Sequence, residues 1–281
     1  MTEVLGTAQN IENCIQYLVL GVIQGITEFL PISSTAHLKA LPLMLGWQDP
    51  GVSVSAAIQL GSIAAVIIYF KKDLKKIWKG FFQIRKGKES KSNNSLLGET
   101  LLLGTIPILL AGFGIKIFWP DFENSIFRSL NSIGIVSIIM AFVLLYAEKY
   151  GIRKKYFSDL KRKDGIAIGL GQMLAIIPGV SRSGVTLSTA LILGFKRQDA
   201  ARFSFLLGIP SISIAGLSEI KNALRISTGY DLLPITIGII TSAIVSWLAI
   251  DWMIKYLQKN NTYIFILYRI LFGIISLFWH A

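Results

Sequence analysis

A carboxylate, several hydroxyls, an imidazole and a guanidinium stand at two places where polar residues interrupt apolar sequence. The first is Gln24-Gly-Ile-Thr-Glu28-Phe-Leu-Pro31-Ile-Ser33-Ser34-Thr35-Ala-His37; the second is Pro178-Gly-Val-Ser181-Arg182-Ser183-Gly-Val-Thr186. Between Cys14 and Leu38 the only carboxylate is Glu28, and between Gly165 and Phe195 the only charge is Arg182. An ionisable group at membrane depth costs at least about 2.5–3.5 kcal/mol, so such groups are candidates for function.

The residue types indicate an anion site with hydrolytic capacity. Gln24 and Glu28 are four apart and share a helix face. Ser34 and His37 are three apart, which sets a candidate nucleophile beside a candidate base. Ser33 or Ser34 can cap the helix that follows Pro31, and Ser181 or Ser183 the helix that follows Pro178. Arg182 offers a planar, permanently charged fork for phosphate oxygens, with the hydroxyls of Thr35, Ser181, Ser183 and Thr186 as further donors. Helix N-termini add free N–H groups and a positive dipole end. The natural ligand is a phosphate ester or a diphosphate. Glu28 and Gln24 supply two oxygen ligands toward a divalent cation, Mg2+ or Ca2+, a thin set unless the phosphates add others.

The elements that must position these groups are membrane helices. The chain has 281 residues, 53% hydrophobic and only 16% charged, with mean hydropathy +0.59. Six segments read as spans, roughly 52–70, 99–119, 129–149, 200–217, 233–254 and 263–280. The regions 14–46 and 165–195 are long, apolar and broken by Pro31 and Pro178. Proline removes a backbone donor and disfavours helix at the residue before it. Broken backbone at membrane depth is tolerated inside protein or beside a water-filled cavity, so both regions are expected to be re-entrant helix hairpins. The expected class is an all-α polytopic membrane protein, a single domain over 1–281 with six transmembrane helices plus the two hairpins.

The net charge of +12 sits mainly in the basic stretches 71–98 and 149–164, read as cytoplasmic loops facing anionic lipid. That placement argues against nucleic acid as a partner and for membrane lipids. Placing both stretches inside makes hairpin 14–46 enter from outside and hairpin 165–195 from inside. Cys14 is the only cysteine, which excludes an intrachain disulfide. Glu3 and Glu12 replace the basic start of a cleavable signal peptide, so none is expected. Gly104, Gly112 and Gly114 are expected at helix contacts; Arg269, inside the last span, has no assigned role.

The two breaks also repeat one another. Gln24 aligns with Gln172, Pro31 with Pro178, Ser34 with Ser181, Leu45-Gly46 with Leu193-Gly194 and Gln48-Asp49 with Gln198-Asp199, at offsets of 147 to 150 residues. Similar halves, roughly 14–149 and 165–281, that enter from opposite faces make an inverted-topology repeat with its site near the midplane. The same architecture serves secondary transporters and lipid flippases, the main rival function. The Ser34/His37 pair favours an enzyme, because a transporter needs no nucleophile.

These residues resemble the undecaprenyl-diphosphate phosphatase family, the type associated with bacitracin resistance. Its [E/Q]-x-x-x-E motif matches Gln24 to Glu28, its Pro-x-Ser-Ser-Thr-x-His segment matches Pro31 to His37, and its PG-x-S-R-S-G-x-T motif matches Pro178 to Thr186. The resemblance extends over nearly the whole chain. It implies a hydrolase of the bacterial plasma membrane that converts undecaprenyl diphosphate to undecaprenyl phosphate, recycling the lipid carrier of peptidoglycan synthesis. It further implies a site open to the outer side and a need for a divalent cation. Carried onto this sequence, Ser34 is the nucleophile with Glu28 and His37 as acid/base and orienting groups, and Arg182 binds the phosphate; whether Ser34 or His37 attacks stays open. Oligomeric state stays open between monomer and homodimer.

Overall fold

In the computed structural model the backbone is described for residues 2–47, 49, 51–85, 93–122, 125–226 and 232–279, and side chains for 10–47, 49, 51–80, 95–122, 125–216 and 232–279. These residues form helices α1 (Thr2–Thr27), α2 (Ser34–Met44), α3 (Gly51–Tyr69), α4 (Lys71–Arg85), α5 (Asn93–Phe118), α6 (Leu130–Tyr150), α7 (Arg162–Met173), α8 (Arg182–Ile192), α9 (Arg197–Ile226), α10 (Leu232–Lys259) and α11 (Tyr263–Phe278). Short 3-10 turns stand at Ile126–Arg128, Phe157–Asp159 and Leu174–Ile176. No strand occurs among the described residues.

Among the described residues four helices are long and apolar enough to cross a bilayer: Gly51–Tyr69, Ser95–Phe118, Leu130–Tyr150 and Leu232–Lys259. Their outward faces carry large apolar side chains, among them Leu102, Ile106, Leu110 and Phe113 on α5 and Ile240, Ile244 and Leu248 on α10. Exposed apolar surface on that scale requires a nonaqueous neighbour. The other two expected spans differ. Segment 200–217 lies inside the 30-residue α9, which contains Pro210, and 263–280 corresponds to α11, only 16 residues long. The basic stretch 71–98 is not simply a loop: Lys71–Arg85 is helix α4, and α5 begins at Asn93. Residues 86–92 fall outside the described residues, as do Gln48 and His280. Within 149–164, α6 ends at Tyr150 and α7 starts at Arg162, with a 3-10 turn between them.

The helices interleave. α1 packs on α10, and α10 on α3; α7 packs on α5, and α5 on α9; α6 pairs with α11, and α3 with α9. Small residues allow this close approach. A Cβ built on Gly61 would lie 2.1 Å from Ile239 O, and one on Gly169 would lie 2.2 Å from Gly104 O. Gly134 and Gly273 bring α6 against α11 in the same way. Gly104 is thus a packing glycine, whereas Gly112 and Gly114 have nothing within 4 Å of such a Cβ. One large core runs from Phe29 through Leu144, Leu191, Phe205 and Ile250 to Ile266 and takes in the first break, while Val180 and Val185 of the second pack in a smaller cluster with Met140.

Candidate active site

Each break ends in a serine with left-handed backbone, Ser33 at φ 79° and Ser181 at φ 70°. Each serine caps the helix after it: Ser33 Oγ accepts from Ala36 N at 3.4 Å, and Ser181 Oγ from Gly184 N at 3.1 Å. Positive φ is rare for a residue with a side chain, and such strain clusters at functional sites. The helices that follow, α2 and α8, both have 11 residues and both end before a left-handed glycine, Gly46 or Gly194. The structural register is therefore 148 residues, and it pairs Ser33 with Ser181. The expected pairing of Ser34 with Ser181 is off by one, because the prolines sit one residue differently from the caps. In the corrected register Ser34 and Arg182 occupy the same place, the first residue of their helices.

Those two residues meet at Glu28. Its Oε1 accepts from Arg182 Nη2 at 2.9 Å, and its Oε2 accepts from Ser34 Oγ at 2.7 Å and from Gln24 Nε2 at 2.9 Å. Gln59 Nε2 stands 3.5 Å from Oε1. The Glu28 side chain is only 4% exposed and that of Arg182 10%. Gln24 is held in turn by Ser62, whose hydroxyl belongs to a buried cluster with Ser242 and Ser246 that joins α1, α3 and α10. Arg182 Nη1 donates to Ser204 O, and its guanidinium lies over the Phe29 ring. Arg182 Nε is buried and has no partner. A buried donor without an acceptor costs about 1–3 kcal/mol, more when charged, so it marks a place prepared for an acceptor.

These groups line a cleft made of two adjoining chambers. The inner one, about 160 Å³, is bordered by Glu28, Ser33, Ser181, Arg182 and Ser211. The outer one, about 330 Å³, is bordered by Gln24, Leu38, Lys39, Asp49 and Arg128. Ser34, Thr35, Gln59, Ala175 and Ala215 line both.

The remaining candidates stand apart from the cleft. His37 does not line it. Its Nδ1 lies 2.7 Å from Ser33 O, and its Nε2 lies 2.7 Å from Tyr268 Oη. A carbonyl only accepts, so Nδ1 carries the proton and Tyr268 donates to Nε2. The ring stacks on Phe272 and Tyr268 of α11. Ser183 Oγ donates to Leu30 O at 2.9 Å and so ties the second break to the first. Thr186 Oγ1 is buried against Arg182 O and Ser204 Oγ and fastens α8 to α9.

Two residues missed in the sequence shape the site. Arg269, 1% exposed, donates to Pro31 O of the first break, to Val180 O and Gly179 O of the second, and to Ser137 O of α6. Its position inside an apolar span was the available sign, but its partners are backbone carbonyls that no side-chain pattern reveals. Gly208 of α9 makes room for the Arg182 guanidinium, since a Cβ there would lie 2.0 Å from Nη1. Nothing in the sequence distinguishes it from other helix glycines.

A base-held hydroxyl, an arginine with a spare donor and a cleft walled by two helix starts fit phosphoryl transfer. The family described as "Bacitracin resistance protein BacA" matches residues 17–275. The chain belongs to this family. A relative from Prochlorococcus marinus strain MIT 9303 is 54% identical over 279 residues, covering 99% of this chain and 95% of its own. One from Synechococcus sp. strain CC9605 is 54% identical over 270 residues, covering 96% and 94%. Both are named undecaprenyl-diphosphatase. Membership of this family and the apolar helices make the chain a multi-pass membrane protein.

Proposed function

We propose that this family member hydrolyses undecaprenyl diphosphate to undecaprenyl phosphate and inorganic phosphate, recycling the lipid carrier of peptidoglycan synthesis and conferring bacitracin resistance. The Ser34–Glu28–Arg182 contact carries this reading, because it joins a hydroxyl, its base and a phosphate-binding fork in one cleft. Ser34 Oγ attacks the terminal phosphorus as its proton passes to Glu28 Oε2. The bond from that phosphorus to the bridging oxygen breaks, and undecaprenyl phosphate leaves. Water then attacks the phosphoserine: its oxygen bonds to phosphorus, the P–Oγ bond breaks, Oγ regains the proton held on Glu28, and the phosphate leaves carrying both water protons as H2PO4−. Arg182 holds Glu28 through Nη2 and offers Nε to the phosphate. Ser33 and Ser181 fix the starts of α2 and α8 around the reacting group. His37 acts through its bond to Ser33 O as a positioning residue, a reading supported by the engagement of both ring nitrogens.

A divalent cation, Mg2+ or Ca2+, fits as a counter-ion carried by the diphosphate. Glu28 is the single carboxylate of the inner chamber, and no cluster of three His, Cys, Asp or Glu residues occurs among the described residues. Magnesium is commonly held by one or two carboxylates plus substrate phosphates. Glu28 and Gln24 Oε1 would hold it, and it would neutralise phosphate charge.

The two breaks are read as the tips of re-entrant hairpins in an inverted repeat with six spans. Support comes from the interleaving, in which α1 packs on α10 as α7 packs on α5. The protein is placed in the bacterial plasma (inner) membrane, with the cleft facing outward if the basic stretches lie inside. The test is phosphate release from undecaprenyl diphosphate by detergent-purified protein, with and without chelator. Arg182→Ala is expected to lower release at least about 10²-fold; an unchanged rate would remove Arg182 from the mechanism.

A further inference from the structure

The inner chamber lacks the charge its ligand needs. Its two charged residues, Glu28 and Arg182, compensate each other at 2.9 Å. A diphosphate headgroup brings at least two negative charges, so positive side-chain charge for it, beyond what a carried cation neutralises, lies outside the inner chamber. Among the described residues the outer chamber is lined by three charged ones, Lys39, Asp49 and Arg128, an excess of one positive charge. Lys39 lies one turn along α2 from Thr35, on the face that borders the cleft. Its ammonium pairs with Asp49, and the two side chains are 25% and 32% exposed. Burial would raise the Asp49 carboxyl, yet its bonds to Lys39 and to Gly51 N, with the field of Lys39 and Arg128, hold it below the usual carboxylate range. The three charges therefore act on one another at one end of the cleft.

We propose that Lys39 and Arg128 form a second phosphate station, with Asp49 as the carboxylate that holds Lys39 until a phosphate takes its place. With the terminal phosphate at Ser34 and Arg182, the adjacent phosphate is one bridging oxygen away. Ser34 and Thr35 belong to both chambers, so that neighbour falls on the outer side of their shared wall. Lysine suits this place as a flexible point charge. The station rests on the phosphatase reading. Its ligand is a phosphate group, either the one next to the lipid or the inorganic phosphate on its way out.

The test uses full-length protein in detergent, with KM and kcat for undecaprenyl diphosphate and inhibition by inorganic phosphate. Lys39→Gln and Arg128→Gln are each expected to raise KM about fivefold while kcat holds, the pattern of lost uniform binding. Lys39→Arg should restore KM. Asp49→Asn should lower KM, a direction that loss of a merely structural ion pair would not give. Weakened phosphate inhibition with KM unchanged would also support the station and assign it to the leaving phosphate. Unchanged KM and unchanged inhibition in both glutamine variants overturn it. If the wild type releases no phosphate, the phosphatase reading fails instead. Calorimetric binding of inorganic pyrophosphate then decides, and equal affinity in wild type and Lys39→Gln overturns the station.

Discussion

Replacing Gly208 by alanine isolates the placement of Arg182 from the stability of the fold. The added Cβ would stand 2.0 Å from Arg182 Nη1, 2.5 Å from Cζ and 3.0 Å from Nη2. Carbon and nitrogen reach ordinary contact near 3.4 Å, so the guanidinium must retreat by about 1.4 Å. That is the far end of a flexible side chain, and α9 itself gains from alanine, by up to about 1 kcal/mol in a helix interior. The fold is expected to hold. The Nη2 bond to Glu28, 2.9 Å in the native site, cannot survive such a shift in place, and the guanidinium moves from the wall of the inner chamber. A misplacement of about 1 Å lowers rate by about 10²-fold, equivalent to about 2.7 kcal/mol in the barrier. Phosphate release by purified Gly208→Ala should therefore fall about 10²-fold with its thermal midpoint within a few degrees of wild type. Gly112→Ala, with open space around the new Cβ, is the matched control and should keep full rate. Wild-type turnover in Gly208→Ala would refute the dependence of the reaction on this placement of Arg182.

Arg269→Met leaves four buried carbonyls, of Pro31, Ser137, Gly179 and Val180, without their donor; an expected loss of about 3–5 kcal/mol should appear as a large drop in the detergent unfolding midpoint, and an unchanged midpoint would contradict the clamp. Tyr268→Phe removes the donor to His37 Nε2 while the ring stack remains, so phosphate release should fall less than about tenfold. His37→Ala should likewise lower release no more than about tenfold, through a loosened Ser33, and complete loss would put the imidazole in the chemistry.

The legible parts of the site were those whose chemistry clashes with their surroundings. Glu28 and Arg182 are isolated charges in apolar sequence, and the structure pairs them across 154 positions. Ser34 was legible through the proline break and the helix start after it. The function expected of Ser34 and His37 together was less secure, because three-residue spacing fixes where Cβ atoms lie but not where side chains turn. The imidazole turns to Tyr268 of α11, a partner 231 residues away. The register of the repeat depends on backbone dihedrals at Ser33 and Ser181, which the matching Pro31 and Pro178 mask by one residue. The lysines of helix α4 point to a loop, although Leu74 and Ile77 recur on one side of it, and Ile77 is buried. Gly208 was invisible because its importance lies in what a neighbour needs, not in its own conformation.

The hydroxyl that Glu28 holds, Ser34 Oγ, is the centre of the proposed reaction. Phosphate released from undecaprenyl diphosphate by purified wild type and Ser34→Ala, at equal amounts of folded protein, is the deciding measurement. Wild type should turn over, and Ser34→Ala should lose at least about 10³-fold. Turnover by Ser34→Ala at the wild-type rate would contradict it.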